Sequence, residues 1–364
     1  MSVITFPHMG YVYIALKSIF KTLGSEVIVP PRPNKNTITL ASKYAPELVC
    51  LPLKINLGNF IEAINLGADL IVTGGGEGPC RFGYYGEIQR RIIKDLGYDF
   101  DLVMINQTKG IEVVKKFKYI TKTKSTWDVL KALYFGWNKM KLIELAEDNL
   151  RANRPFETVE GESERVFFKI LQEIDNMKVL KETKDFSVYI NESFSKVGIE
   201  KKDGFLKISI VGEVFMVLEP FVNFNLEKRL AEMGIFVDRT VKITNWLQRV
   251  WLFDSEARTE IKMIKNLAKP YLKEHIGGEG IYSIGQSILS KERGYDGVIQ
   301  IAPFTCMPEI VAYSIFPKIM QKEKIPVLSL FLDEHSSETG IMTRVEAFID
   351  LIKRQNKKKP SDKL

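Results

Sequence analysis

The first third of the chain alternates short apolar runs with longer segments whose apolar residues recur every three or four positions. The strand-like runs are ITFPH, SEVIVPP, ADLIVTG and FDLVMIN, and helical patterns such as YVYIALKSIFKTLG lie between them. Short apolar runs separated by helical patterns are typical of parallel sheets, whose faces are covered by crossover helices. We therefore predict a Rossmann-like or flavodoxin-like domain over 1–124.

The pattern changes after position 124, where long amphipathic stretches replace the apolar runs. TWDVLKALYFGWNKMKLIELAEDNLRANR and SERVFFKILQEIDNM have the spacing of helices that bury one face, which predicts a helical insert over 125–200. Alternation resumes with FLKISIVGEVF and continues through IFVDRTVKITNW, YDGVIQIAP and IPVLSLFLD. These runs predict a second Rossmann-like domain over 201–364. The expected fold class is α/β, with two parallel-sheet domains and a helical insert.

Composition excludes several classes of protein. Of the 364 residues, 45% are hydrophobic and 27% charged, and no apolar run approaches the roughly 20 residues that span a bilayer. The opening residues lack the pattern of a secretory signal, so we expect a cytoplasmic protein that does not bind membranes. The net charge of +7 is concentrated in lysine-rich runs over 109–124 and 353–363. These runs lack interleaved aromatic residues, which argues against nucleic-acid binding.

The three cysteines of the chain follow apolar runs in distant parts of the sequence. Cys50 lies in PELVCLP, Cys80 in ADLIVTGGGEGPC and Cys306 in YDGVIQIAPFTC, and each run has the pattern of a strand. Ligands of doubly wound folds collect outside the carboxyl ends of the strands, so the three thiols are expected to converge on one site. An odd number of cysteines in a reducing compartment does not indicate a disulfide framework. We therefore predict that Cys50, Cys80 and Cys306 are metal ligands.

An iron-sulfur cluster matches the surroundings of these cysteines. Glycine-rich turns and helix N-termini supply backbone N–H donors to cluster sulfides, and Cys80 and Cys306 each precede a predicted helix. Three thiolates would leave one iron of a 4Fe-4S cluster open to a substrate. The candidate cluster-contacting residues are Gly76, Gly78, Pro79 and Thr305. The candidate catalytic residues, which would balance charge or move protons, are Glu77, Arg81 and Glu309.

Other interpretations of the same residues stay open. A zinc site would need His8, His275 or His335, none of which has short ligand spacing to a cysteine. The glycine-rich loop over 74–86 could cradle a phosphate, although Arg81 stands where the dinucleotide fingerprint requires glycine. Each cysteine taken singly also fits an inert core thiol.

Long motifs around the cysteines resemble a known family. They are FPHMGYVYIALKSIF, SKYAPELVCLPLKINLGNFIEAINLGAD, GGGEGPCRFGYYGEIQRRIIKDLGYDF, VGEVF with EPFVNF, PFTCMPEIVA and IPVLSLFLDEHSSETGIMTRVEAF. Together they resemble the CoA-substrate-specific activase-associated family, which is similar to the iron-sulfur subunits of 2-hydroxyacyl-CoA dehydratases. In those dehydratases three cysteines hold a 4Fe-4S cluster between Rossmann-like domains. The resemblance implies Cys50, Cys80 and Cys306 as the cluster ligands.

The resemblance also implies a function. Related proteins receive a low-potential electron from a separate ATP-dependent activator of the sugar kinase/Hsp70/actin type, and we identify no actin-type phosphate loops in this chain. We expect an oxygen-sensitive iron-sulfur protein that accepts this electron for a reductive or radical dehydration, with an acyl-CoA or another small molecule as substrate. The alternatives are a non-catalytic electron relay or assembly partner, a double-cubane cluster, and a nucleotide-binding regulator. A homodimer is one option for the oligomeric state.

Overall fold

The first half of the chain is built on a four-stranded parallel sheet. The computed structural model describes residues 2–76, 79–106, 110–201, 204–248 and 255–358. The strands of this sheet are β1 (Val3–Thr5), β2 (Glu26–Val27), β3 (Leu70–Gly75) and β4 (Asp101–Asn106). Its helices are α1 (Val12–Thr22), α2 (Lys35–Ser42), α3 (Leu51–Asn65), α4 (Tyr85–Asp95) and α5 (Gly110–Thr121). The strand order is β2-β1-β3-β4.

Helices fill the stretch between the two sheets. They are α6 (Thr126–Asn153), α7 (Glu162–Asn176) and α8 (Phe186–Ser195). The Ser125 hydroxyl caps α6 by accepting a hydrogen bond from the backbone N–H of Asp128, as a serine does at a helix start. Apolar residues of all three helices, among them Ile143, Phe167 and Phe194, share one core.

The second half repeats the architecture of the first. Its strands are β5 (Lys207–Gly212), β6 (Phe236–Arg239), β7 (Gly297–Pro303) and β8 (Val327–Leu332). Its helices are α9 (Val214–Leu218), α10 (Leu226–Glu232), α11 (Ile243–Gln248), α12 (Ser255–Ala268), α13 (Gly280–Glu292), α14 (Met307–Glu323) and α15 (Glu338–Lys358). The strands lie in the order β6-β5-β7-β8.

Both sheets therefore have the same topology. In each, all pairings are parallel, and the first strand lies between the second and the third, as in the flavodoxin-like doubly wound fold. Helices cover both faces, which is why every residue of β7 is buried and its sequence reads as a continuous apolar run. The predicted α/β class with two Rossmann-like parallel-sheet domains and helices between them is confirmed. No helix in the described ranges has the length and apolar character needed to cross a bilayer.

The segment around Cys50 differs from its sequence-based prediction. PELVCLP has the pattern of a strand, but residues 45–50 form turns and α3 begins at Leu51. The first turns of α3 are buried on every side, because Ile55 packs into the core of the second half while Leu57 and Phe60 pack into that of the first. A helix that is buried on all sides has no amphipathic pattern. The sequence of its apolar residues therefore cannot be distinguished from that of a buried strand.

Candidate metal centre and its cavity

A cavity of about 350 Å³ lies at the carboxyl ends of both sheets. Its lining includes Phe6 just after β1, Gly74 at the end of β3, Glu213 just after β5 and Pro303 at the end of β7. In doubly wound folds this is where the crevice at the topological switch point binds ligands. The volume is within the range of small-molecule sites, so the cavity is the leading candidate for a functional site.

The structure brings all three cysteines to this cavity. Cys50, Cys80 and Cys306 line it, with Cys50 and Cys306 buried and Cys80 partly buried. Each thiol precedes a helical element: Cys50 precedes α3, Cys80 precedes a 3-10 turn that leads into α4, and Cys306 precedes α14. Backbone N–H groups at such starts have no partner within the helix and favour anions. All three thiols therefore line the same cavity, although Cys50 arrives at the start of a helix and not at a strand end.

Burial keeps the three thiols protonated in the ligand-free protein. It raises the pKa of Cys50, Cys80 and Cys306, and most strongly that of Cys306, where the carboxyl groups of Glu309 and Glu213 add to the effect. Around Cys50 the Tyr85 hydroxyl and the Arg81 charge oppose the rise. Metal ligands must be thiolates, so metal binding here has to release protons.

Arg81 joins two cysteine-bearing loops. Its Nη2 lies 3.7 Å from Cys50 Sγ and donates hydrogen bonds to the carbonyl oxygen and to Oγ1 of Thr305, at 2.6 and 2.9 Å. Its Nη1 donates to the carbonyl oxygen of Leu48 at 3.1 Å, and Thr305 Oγ1 donates to the same oxygen at 3.2 Å. The two predicted site residues Arg81 and Thr305 thus hold the loop before α3 against the loop before α14. The Tyr85 hydroxyl completes this group through a hydrogen-bond contact with Cys50 Sγ.

Two buried carboxyl groups lie near the thiols. Glu309 accepts hydrogen bonds from Ser283 Oγ at 2.9 Å and from Gln300 Nε2 at 2.6 Å, and burial raises its pKa to about 8. It stands one turn beyond Cys306 but is not among the residues that line the cavity. Glu213 does line the cavity; burial raises its pKa to about 7, while its hydrogen bond from the backbone N–H of Met216 opposes the rise.

The sequence analysis missed Glu213 as a site residue. It directly follows Gly212, the last residue of β5. Because ligands of doubly wound folds bind outside the carboxyl ends of the strands, the argument that identified the cysteines also applies to Glu213. Glu279, which precedes α13, lines the cavity as well, and it follows Gly278, whose Cβ position would lie 3.9 Å from Cys80 Sγ. No strand precedes Glu279 directly, and the sequence carries no comparable signal for it.

The other residues that were predicted to contact the cluster or to act in catalysis are not among the described residues of the cavity wall. Gly76 packs against Phe82, whose ring would lie 3.2 Å from a Cβ at this position, and Pro79 packs near Gly277. Neither Gly76 nor Pro79 is among the lining residues of the cavity. Glu77 and Gly78 lie outside the described residues.

The histidines do not join the thiols. None of the three lines the cavity: His8 contacts Glu219, His275 accepts a hydrogen bond from the backbone N–H of Gly277, and His335 is exposed. Within the described ranges no group of three or more His, Cys, Asp or Glu side chains is arranged to hold a metal ion. Ligands of a single ion must converge on one point, whereas these thiols are distributed around a larger space. The arrangement therefore argues against a single-ion zinc site.

Comparisons with known proteins add little to this picture. No protein-family model matches the chain, and no curated protein matches it significantly. Among solved structures, the chain is similar to the crystal structure of the SsGBP and GDP complex at 10% identity, covering 98% of this chain and 99% of the other with a TM-score of 0.19. A TM-score this low does not indicate a shared fold, so nothing about the function of the present chain follows from it.

Proposed function

We propose that the chain is an iron-sulfur protein in which Cys50, Cys80 and Cys306 hold a cluster, most simply 4Fe-4S. One observation carries this proposal: the chain has only three cysteines, they lie far apart in sequence, and all three line one cavity at the carboxyl ends of two sheets. A shared inorganic core accounts for the arrangement.

The residues fit a cluster better than a single ion. A cavity of about 350 Å³ has room for a core of several atoms, and thiols placed around such a space need not converge on one point. Helix starts next to each thiol offer backbone N–H groups to the cluster sulfides, and the positive ends of the helix dipoles favour its negative charge. Arg81 adds a positive charge beside Cys50 Sγ.

When bound, such a cluster supplies one-electron chemistry, with a potential that depends on hydrogen bonds and solvent exposure. Phe82 and Tyr85 line the cavity and pack with Cys50 in one hydrophobic cluster, which shields that thiol from water. Glu213 has a pKa of about 7 and can therefore give or take a proton inside the cavity near neutral pH. We propose that an ATP-dependent activator of the sugar kinase/Hsp70/actin type supplies the electron, and that the chain uses it in a reductive or radical dehydration of a small molecule.

Anaerobic reduction followed by electron paramagnetic resonance tests this function. The reconstituted protein should show the signal of a reduced cluster after dithionite, and also after incubation with an activator ATPase and ATP but not without ATP. Cys80→Ser should abolish or alter the signal, whereas His335→Ala, at an exposed position, should leave it unchanged. A reconstituted chain that shows no reducible centre would contradict the proposal. ATP-dependent reduction without turnover of any substrate would favour the non-catalytic electron relay.

A further inference from the structure

Much of the cavity wall away from the cysteines is apolar. Val12, Leu16 and Phe20 lie on successive turns of α1 and line it, together with Phe117 of α5 and Met140 of α6. These residues belong to two hydrophobic clusters that do not include Cys50, which packs with Leu53 and Tyr85 in a third cluster. We call the part of the cavity lined by Val12, Leu16, Phe20, Phe117 and Met140 the apolar half.

An apolar space of this size is unusual inside a protein. Protein interiors are close-packed, with few voids larger than a water molecule, and an unfilled apolar cavity lowers stability. An engineered cavity of about 150 Å³ lined by Leu, Ile and Phe stays dry and binds benzene. The present cavity, at about 350 Å³ including the part beside the thiols, is more than twice as large, and its apolar half has walls of the same kind. It is large enough for an apolar molecule of several carbon atoms.

The charged groups of the cavity lie beside the thiols. In the described ranges the charged lining residues are Arg81, Glu213 and Glu279. Arg81 contacts Cys50, Glu213 acts electrostatically on all three thiols, and Glu279 is next to Gly278, which packs near Cys80. A charged ligand in the apolar half would lose its hydration without gaining a partner of opposite charge, which disfavours carboxylates and phosphates in that half.

We propose that the apolar half binds a free, uncharged and largely hydrocarbon small molecule, one end of which faces the three thiols. Its role as the substrate rests on the proposed function, but its binding does not, because the apolar half contains none of the cluster ligands. Hydrophobic burial in a preformed space provides the affinity. A polar or reactive part of the molecule would lie at the other end of the cavity, where the charged side chains and the thiols are.

Displacement of the uncharged fluorophore N-phenyl-1-naphthylamine from the full-length, metal-free protein tests this inference. With 1-butanol, 1-hexanol and 1-octanol as competitors, affinity should rise about three- to fourfold for each added methylene. Octanoate, which carries a charge, should bind at least about tenfold more weakly than 1-octanol. An affinity that does not depend on chain length, or octanoate that binds as well as 1-octanol, would overturn the inference. This series of competitors is measured on the unmodified chain.

Variants locate the binding to the apolar half. Val12→Phe and Leu16→Phe fill the space and should weaken 1-octanol binding at least about tenfold, whereas Val159→Phe, at an exposed position that does not line the cavity, should leave it unchanged. Unchanged binding in a folded Val12→Phe variant would refute the assignment.

The Cys50→Ser/Cys80→Ser/Cys306→Ser chain should lose iron but keep 1-octanol binding. A parent chain that takes up iron but does not bind the alcohols would sink this inference alone, and a parent chain that binds the alcohols but takes up no iron would sink the proposed function alone.

Discussion

Tyr85 is the side chain that most directly modifies a cavity thiol. It is buried next to Cys50, and its hydroxyl is in hydrogen-bond contact with Cys50 Sγ. Burial raises the pKa of Cys50, and the Tyr85 hydroxyl is the larger of the side-chain influences that lower it. The contact between Cys50, which precedes α3, and Tyr85 of α4 depends on how the two helices pack, and their sequences do not reveal it.

The Tyr85→Phe variant should make Cys50 less reactive. Removing the hydroxyl removes an influence that lowers the pKa of Cys50, so the thiolate fraction falls and the reaction with Ellman's reagent at pH 8 slows several-fold. The rate is measured in a chain that also carries Cys80→Ser and Cys306→Ser, so that only Cys50 reacts. Tyr84→Phe, at the exposed neighbouring position, is the matched control and should not change the rate. Equal rates for Tyr85→Phe and its parent would contradict the assignment.

Glu309 should make stability depend on pH. Burial raises its folded-state pKa to about 8, above the ordinary value near 4.5. The folded state therefore binds the proton more tightly than the unfolded state, so the stabilisation is complete below about pH 4.5 and is lost as the pH rises through about 8. Glu309→Gln should remove the fall in stability that comes from this carboxyl group. The difference between the free energies of unfolding at pH 5 and at pH 8 should therefore be smaller than in the parent chain by roughly 1 kcal/mol or more.

Urea unfolding at several pH values measures this effect. Glu26→Gln, at an exposed position, provides the matched control and should leave the pH profile as it is in the parent chain. A Glu309→Gln profile that falls as steeply as that of the parent would show that Glu309 is not the group responsible.

At the scale of elements, the close approach of β5 to β7 depends on Gly212. Its φ is 137°, and an added Cβ would lie 1.9 Å from the carbonyl oxygen of Ile301 in β7. Because that atom belongs to the backbone of a central strand, it cannot move aside as a flexible side chain could. Gly212 therefore fixes the place where the chain leaves β5 and where Glu213 enters the cavity wall.

Gly212→Ala should be strongly destabilising. We expect it to lower the free energy of unfolding by at least about 2 kcal/mol more than Gly294→Ala does. Gly294 also has a positive φ, at 76°, but no atom lies within 4 Å of its Cβ position, so its substitution isolates the conformational cost of about 1–2 kcal/mol. Thermal unfolding of the two variants gives the comparison. Similar losses for the two variants would show that the contact with Ile301 is not limiting.

Elements with a regular pattern could be predicted from the sequence, whereas those enclosed by both halves could not. The strands β4, β7 and β8, the stop of α1 at Gly24 and the start of α14 with Pro308 in its first turn follow from periodicity and from proline and glycine positions. The segment PELVCLP, which leads into α3, was wrongly interpreted as a strand, and both cores bury the first turns of that helix. Its true start could be inferred only from Pro52, which suits the first turn of a helix.

At the scale of the whole molecule, buried ion pairs connect the helical stretch to the second sheet. Arg239 of β6 forms a salt bridge with Glu147 of α6 and a second one, at 3.3 Å, with Glu227 of α10. Lys242 pairs with Asp148 of α6 at 2.6 Å, but both of these side chains are partly exposed. Charges that are buried together in this way constrain the two parts, because separating them leaves each charge without a partner in a poorly solvated place.

Arg239→Met should lower the free energy of unfolding by about 3–5 kcal/mol, because Glu147 and Glu227 would be left without their buried partner. The matched control is Arg229→Met, which removes a salt bridge to Glu338 between side chains that are both partly exposed. That change should cost less than about 1 kcal/mol. Urea unfolding followed by circular dichroism measures both variants. A loss for Arg239→Met no larger than for the control would show that the buried pairs contribute little.

The meeting of the three thiols could be predicted only in part from topology. Cys80 follows β3 and Cys306 follows β7, and the carboxyl ends of parallel strands are where doubly wound sheets bind ligands. Because β3 and β7 belong to different sheets, the shared cavity also depends on how the two sheets are placed, which the sequence does not reveal. The apolar half of the cavity could not be predicted in this way. It is formed by side chains of α1, α5 and α6, each of which reads as an ordinary core residue in its own helix.

Iron and acid-labile sulfide content after anaerobic reconstitution tests the central claim most directly. If Cys50, Cys80 and Cys306 hold one 4Fe-4S cluster, the parent chain should contain about four iron and four sulfide atoms, and each single Cys→Ser variant should contain markedly less. About eight iron atoms per site, held by two three-cysteine sets, would indicate the double-cubane alternative. Less than about one iron per folded parent chain, or equal iron in the parent and all three variants, would contradict the account.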